Sequence, residues 1–398
     1  MHFESFVTGT LPHIHFGAGW MAGLPAILRP YGSRALLVTG RSSFRQSARW
    51  QPLIVGLEAA GITWFETRIE GEPSPSMVDL AVARFSAERI DAVVGIGGGS
   101  VLDAAKAIAG LLPSGNSVLD HLEDVGKGLP YDGPALPFIA VPTTAGTGSE
   151  ATRNAVLSER GADGYKKSFR HDALVARVAL IDPELLHDCP PALIAAQGMD
   201  AFTQLLESFV SLRANPFADA LAWSGLQAVK QGFFAAIDGG DGPVAGQGRA
   251  AMAYAALLSG ITLAQVGLGS VHGLAQPLGS LFPVPHGVAC GTTLAEATAV
   301  NIAALAERSP ESPALEKYAA VGRLLLDQPG LDAEAARAGL IEELRRWTDR
   351  LQLPRLGAYG ITEADLPAIV AGSRNNSMRS NPVELSDDEV AEIVRRRL

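Results

Sequence analysis

Cysteine is nearly absent. The 398 residues contain two, Cys189 and Cys290, too few for a disulfide framework and suited to a reducing compartment. Long apolar runs are missing as well: no stretch reaches eighteen apolar residues without a charge, which argues against a membrane span. The N-terminal stretch MHFESFVTG carries an acid and lacks both a basic and an apolar region of the kind that opens a signal peptide. A cytoplasmic location is therefore expected. Basic clusters are also lacking. Lys and Arg number 32 against 42 Asp and Glu, for a net charge of −10, and the most basic run, RRRL at 395–398, reads as the solvated end of a short helix. This balance argues against a nucleic-acid or anionic-membrane partner.

What is present is a chain with 47% apolar and 19% charged residues, in keeping with a globular protein long enough for two or three domains. Short apolar runs at ALLVTG (35–40), AVVGIGGG (92–99), PFIAVPTT (137–144) and RVALID (177–182) alternate with amphipathic or Ala-rich segments. Strands of this length between helices predict a mostly parallel sheet covered on both faces. After DPELLHDCPP the pattern changes, and from about residue 191 the apolar stretches are long and helical. The expectation is an α/β domain over 1–187 and an all-α domain over 188–398. The Gly-rich DGGDGPVAGQG (238–248), with no strand before it, reads as a connecting loop.

Two loops in the first half have the composition of ligand sites. In DAVVGIGGGSVLDAAKAIAG a strand runs through Gly97, Gly98 and Gly99 into a helix. The glycines permit positive φ and backbone approach to an anion, Ser100 is a natural N-cap with Asp103 in a capping box, and the helix start offers free N–H groups to a pyrophosphate. The spacing departs from G-x-G-x-x-G, so a plain tight turn is the competing reading. In VPTTAGTGSEAT (141–152), Thr143, Thr144, Thr147 and Ser149 offer small donors at the carboxyl end of a parallel strand, where ligands collect in open α/β sheets. An ordinary Ser/Thr-rich turn is the alternative there. VTGRSS ends a strand with Gly40, Arg41, Ser42 and Ser43 and no carboxylate. An acid near such a position holds an adenosine 2′-OH and an Arg accommodates a 2′-phosphate, so the reading leans toward NADP, against a solvated Arg41.

The second half holds the metal candidates. GMDAFTQLLES (198–208) puts Asp200 and Gln204 at i, i+4, the spacing by which one helix offers two ligands to one ion. His would complete the pair, and Gln leaves open a site that lost a ligand, a site with fewer, or only a helix. His272 and His286 each stand before a glycine at an apparent helix start, which favours ligation over two separate core histidines. Cys290 could face the same way as His286 on a helix and otherwise reads as a small packing residue. His13 and His15 share a strand face and read as structural.

GIGGGSVLDAAKAIA, VPTTAGTGSEAT, GMDAFTQLLE and VHGLAQPLGSLFPVPHG resemble, in order and spacing, the iron-containing (group III) alcohol dehydrogenases over almost the whole chain. The resemblance implies the dehydroquinate synthase-like architecture of a dinucleotide-binding α/β domain with an all-helical metal-binding domain, and a homodimer. It matches Gly97, Gly98, Gly99 and Ser100 to the pyrophosphate loop, Thr143, Thr144 and Thr147 to the loop beside the nicotinamide, and Lys167 to a lysine near the cofactor. Asp200, His272 and His286 match three of four metal ligands. Gln204 replaces the fourth, a His, and could add a neutral carbonyl oxygen as a weaker ligand for iron or zinc; the related glycerol dehydrogenases use an Asp and two His. Gln276 stands where many members place a His credited with proton transfer, so a relay would run through water or the cofactor ribose. The implied activity is hydride transfer between NAD(P) and a small primary alcohol or aldehyde, assisted by a divalent metal. The changed ligand set keeps two alternatives open: a maleylacetate reductase-like enzyme with little need for metal, and a non-redox relative of the dehydroquinate synthase type.

Overall fold

Apolar strands exposed on neither face need cover on both sides, and the α/β unit supplies it. The computed structural model describes residues 5–159 and 164–398. The chain divides into two units, Gly9–Cys189 and Pro190–Leu398, with residues 5–8 grouping with the latter.

Among the described residues the first unit has strands β1 (His13–Phe16), β2 (Arg34–Gly40), β3 (Thr63–Ile69), β4 (Ala92–Gly97), β5 (Phe138–Pro142), β6 (Asn154–Glu159), β7 (Tyr165–Arg170) and β8 (Val178–Ile181). Six form one parallel sheet in the order β1-β8-β5-β4-β2-β3, and β6 pairs antiparallel with β7. The four apolar runs read from the sequence are the four interior strands. Helices α1 (Leu24–Leu28), α2 (Ser43–Gln46), α3 (Trp50–Ala59), α4 (Pro75–Phe85) and α5 (Gly99–Leu111) fall between the strands. Alternation along β2 divides the core: Leu36 and Val38 pack with Val93, Phe138 and α4–α5 residues, while Ala35 and Leu37 pack with Val94, Ile139 and Leu57 on the other face. The edge strands were less legible, because edges stay polar. β1 is HIHF, and β3 places Glu66 and Arg68 among its apolar residues.

The order of strands fixes where a ligand can sit. From β2 the chain goes to β3 on one side and returns to β4 on the other. This reversal is a topological switch point, and crevices form there outside the carboxyl ends of the strands. Gly40 ends β2 and Gly97 ends β4.

The second unit is helical among its described residues: α6 (Pro191–Val210), α7 (Pro216–Asp238), α8 (Pro243–Val266), α9 (Ser270–Leu281), α10 (His286–Arg308), α11 (Pro313–Leu326), α12 (Ala333–Arg350), α13 (Leu366–Ser373) and α14 (Asp387–Arg395). The loop expected over 238–248 ends earlier, since α8 starts at Pro243 and absorbs the glycines at 246 and 248. Proline at the first helical position loses no hydrogen bond, and Gly248 lets α8 press onto α7, since a Cβ there would stand 2.5 Å from Ala236 N. By length and composition alone α8 and α10 are apolar enough to cross a membrane, yet most of each is buried within this unit, as core helices are.

Candidate functional site

In the α/β unit the glycine loop and the threonine loop lie side by side. Thr143 N donates to the Gly97 carbonyl at 2.9 Å. A Cβ on Gly98 would meet the Thr144 side chain at 3.3 Å, and one on Gly99 would meet Thr147 at 2.7 Å. None of Gly97, Gly98 and Gly99 takes a positive φ, so the expected reason for these glycines is corrected: they serve close approach. The capping expectation is corrected too. The cap of α5 is Gly98, with φ −76° and ψ −177°, and Ser100 lies inside the helix. The first N–H groups of α5 then have no helical acceptor of their own.

Asp103 belongs to a buried tie between the two loops. Ser149 Oγ donates to Asp103 Oδ1 at 2.5 Å. The fully buried Lys106 donates to the Ser149 carbonyl at 2.9 Å, to Ser149 Oγ at 3.0 Å and to Thr152 Oγ1 at 3.0 Å, and pairs with Asp103 at 3.6 Å. Asp103 and Ser149 therefore hold the loops in register, and their polar atoms are already engaged. Lys106 was missed in the sequence, although a lysine three residues after an aspartate in an otherwise apolar helix was a readable signal. Burial raises the Asp103 carboxyl and lowers the Lys106 ammonium, with each opposing the other's shift.

The other cofactor candidates are more dispersed. Arg41 is largely exposed and lies 3.9 Å from Glu70, just past β3, so the neighbouring strand supplies the carboxylate that the β2 end lacks. Ser42 precedes α2 without a capping hydrogen bond. Lys167, on β7, has its ammonium in an ion pair with Asp124 at 2.9 Å. His13 and His15 share one strand face, with ring centroids 4.8 Å apart and the planes tilted by 38°.

Glu150, in the threonine loop, is buried, and burial pushes its carboxyl up to about 7 against its own backbone N–H and Lys106. A folded-state value raised above the ordinary 4.5 means the folded protein binds more protons across that interval, so this group's stability is full below about 4.5 and lost as pH rises through about 7. The loss amounts to about 3 kcal/mol. Denaturant melts at pH 5 and pH 8 should show the wild type losing stability relative to Glu150→Gln, and parallel profiles would contradict this reading.

The helical unit gathers the metal candidates. Asp200, His272, His286 and Cys290 offer ligand atoms that all lie within 4.8 Å of one another and could hold a metal ion. Asp200, on α6, is fully buried. Its Oδ1 lies 3.2 Å from His272 Nε2 and 3.6 Å from His286 Nε2, and its Oδ2 is buried with no hydrogen-bond partner. His272 is the third residue of α9 and His286 the first of α10. The glycine after His286 matters for packing, since a Cβ on Gly287 would stand 2.5 Å from the Ala196 carbonyl. Glycine lets the first turn of α10 press onto α6, and this brings His286 to Asp200.

Gln204 stands otherwise than expected. Its Nε2 donates to Asp200 Oδ1 at 3.0 Å, and its Oε1 accepts from Ser259 Oγ at 2.7 Å. A carboxylate only accepts, so the amide must turn its NH₂ toward Asp200 and its carbonyl away. The atom expected to ligate is committed to Ser259, and Cys290 Sγ takes the place beside the ions' ligands instead. Gln276 follows His272 by one turn on α9 and is partly buried.

Glu207 was also missed. Its Oε2 lies 2.7 Å from His272 Nδ1, and its Oε1 accepts from Val271 N at 2.7 Å. A carboxylate holding one ring nitrogen fixes the imidazole and leaves Nε2 for an ion. The signal was the polar stripe Asp200, Gln204, Glu207 at i, i+4, i+7 on an otherwise apolar helix. Burial would raise the Asp200 carboxyl, but His286 and His272, with the Gln204 amide, outweigh it and hold it down at about 2. Burial would lower His272, but its Cys290, Asp200 and Glu207 neighbours hold it well above the ordinary value, while burial pushes the Cys290 thiol up to about 11.

Comparison with known proteins gives the same placement for the whole chain. Residues 12–183 match the model for iron-containing alcohol dehydrogenase, and residues 194–398 match that for the C-terminal part of the Fe-containing alcohol dehydrogenase family. The chain is 32% identical over 371 residues to 1,3-propanediol dehydrogenase of Klebsiella pneumoniae, covering 92% of this chain and 91% of that one. It is 28% identical over 388 residues to NAD-dependent methanol dehydrogenase of Bacillus methanolicus, covering 96% and 97%. The crystal structure of a 1,3-propanediol oxidoreductase superposes with a TM-score of 0.87 at 28% identity, covering 99% of this chain and 100% of that one. With both halves matched in order, this chain belongs to the iron-containing alcohol dehydrogenase family and is an oxidoreductase acting on CH–OH groups.

Proposed function

We propose that the protein is an NAD(P)-dependent alcohol dehydrogenase and aldehyde reductase for small primary alcohols, working as a cytoplasmic homodimer with a divalent metal in the helical unit. The observation that supports this best is the convergence of Asp200, His272 and His286, with a buried carboxylate oxygen left without a partner. The donor set fits a divalent ion: two imidazoles and a carboxylate are the three protein ligands of many catalytic zinc sites. When bound, such an ion supplies Lewis acidity to the substrate oxygen, and the dinucleotide gives or takes up the hydride.

The chain's own residues do the positioning. Glu207 orients His272, and Gln204 orients Asp200. The start of α5 presents N–H groups for a pyrophosphate, and Lys106 keeps the threonine loop against it. Gln276 can hydrogen-bond a substrate but neither takes nor gives a proton as an acid or base. A panel of primary alcohols and aldehydes run with both cofactors, with metal analysis of the purified protein, tests the reading. No hydride transfer with any member of the panel would count against it.

Acceptance of NADP(H) at least as well as NAD(H) is part of this proposal. Gly40 brings no carboxylate to the end of β2, and Arg41 beside it is exposed, though Glu70 offsets part of its charge. A side chain fits at position 40, since a Cβ there meets only Val101 Cγ2 at 3.8 Å. Gly40→Asp should set a like charge against a 2′-phosphate and shift the kcat/KM ratio toward NAD(H) by about 10- to 100-fold. A strong wild-type preference for NAD(H), unmoved by the substitution, would contradict it.

A further inference from the structure

We infer that the fourth metal ligand is the Cys290 thiolate, supplied by α10, and that Gln204 supports the site from outside it. The inference rests on the proposed metal site and specifies its chemistry. Three observations converge. Cys290 is fully buried and follows His286 by four residues on α10, so one helix face presents both side chains. Its Sγ lies 3.7 Å from His272 Nε2 and 3.8 Å from His286 Nε2. Asp200 Oδ2, fully buried in the same cluster, has no partner.

Four of the six separations are close to those of a coordination shell, and all six lie within 4.8 Å. Bond lengths of about 2.0–2.2 Å to N or O and about 2.3 Å to S place neighbouring atoms of a tetrahedron about 3.3–3.6 Å apart. The Asp200–His272 and Asp200–His286 separations are 3.2 and 3.6 Å, and the two sulfur separations exceed the expected edge by only a few tenths of an ångström. Gln204 cannot fill the same role while its carbonyl accepts from Ser259 and its amide donates to Asp200. The two-ligand helix has moved from α6 to α10.

Ligation breaks the S–H bond, forms a metal–sulfur bond and releases the thiol proton to water, with no change of oxidation state. Thiolate and carboxylate together neutralise a divalent ion, and a soft thiolate favours zinc or cobalt over magnesium or manganese. Zinc is thus the expected resident.

The test uses the full chain, stripped and loaded with cobalt(II), in the wild type and in Cys189→Ser, whose sole cysteine is Cys290. Both should bind one cobalt per chain and show a thiolate-to-cobalt charge-transfer band in the near ultraviolet. Cys290→Ser should lose the band, and Gln204→Ala should keep it while retaining metal about 10- to 100-fold less tightly, as expected for an outer support. One bound cobalt per chain without the band would overturn the assignment of Cys290 and leave the metal site standing. Failure of cobalt to bind at all would overturn both. The decisive reading needs only the wild type and Cys189→Ser, so a Cys290 variant that failed to fold would not obscure it.

Discussion

His286→Ala should lower turnover by about 1,000-fold while destabilising the fold less than His272→Ala, taking ~4 kcal/mol as the share of transition-state stabilisation a Lewis-acid ion supplies. His286 is the better choice of the two histidines for structural reasons. Its side chain is 31% exposed and it begins its helix, so alanine there removes a ligand and little packing. His272 is buried between Asp200 and Glu207. Its removal would leave two buried carboxylates without their shared partner, at a cost of about 3–5 kcal/mol in stability. A His286→Ala protein that keeps full turnover and full metal content would remove that histidine from the site.

Gly98→Val should weaken NAD(P)H binding by about 100-fold, the equivalent of losing one or two charge-assisted hydrogen bonds worth ~3 kcal/mol together. The backbone at Gly98, φ −76° and ψ −177°, is open to any residue, so valine brings no backbone strain. Its effect is through space: a Cβ would stand 3.3 Å from Thr144, and the added methyls fill the gap between the two loops. Titration of the cofactor by fluorescence, alongside a melt, separates these effects. Unchanged affinity in a folded Gly98→Val protein would remove the pyrophosphate from this loop.

The sequence made the centre of each unit legible and its margins less so. Interior strands β2, β4, β5 and β8 show because parallel strands buried on both faces are written as apolar runs. β3 is mixed in composition and β1 alternates histidine with apolar residues, so neither stands out. Ser100 and Asp103 have the wording of a capping box, yet the helix begins two residues earlier than that box requires, and Asp103 turns to Ser149 across 46 residues of chain. Lys106 has the same kind of distant partners. In the helical unit, periodicity on α6 showed that Asp200 and Gln204 share a face. It could not show what lies opposite, because the meeting of α6, α9 and α10 is set by close approaches such as that of Gly287 to Ala196. Cys290 illustrates the limit. Its i, i+4 relation to His286 is local and visible, whereas its nearness to His272 exists only once α9 and α10 have packed.

The most direct test of a metal-assisted dehydrogenase is to strip the purified protein with a chelator and then follow NAD(P)H formation from a primary alcohol as zinc, iron, manganese, nickel or magnesium is restored one at a time. The account predicts that the stripped protein is nearly inactive and that zinc restores it better than magnesium or manganese. Full activity without metal would contradict it and return the buried Asp200–Gln204 hydrogen bond to the status of a metal-free structural contact.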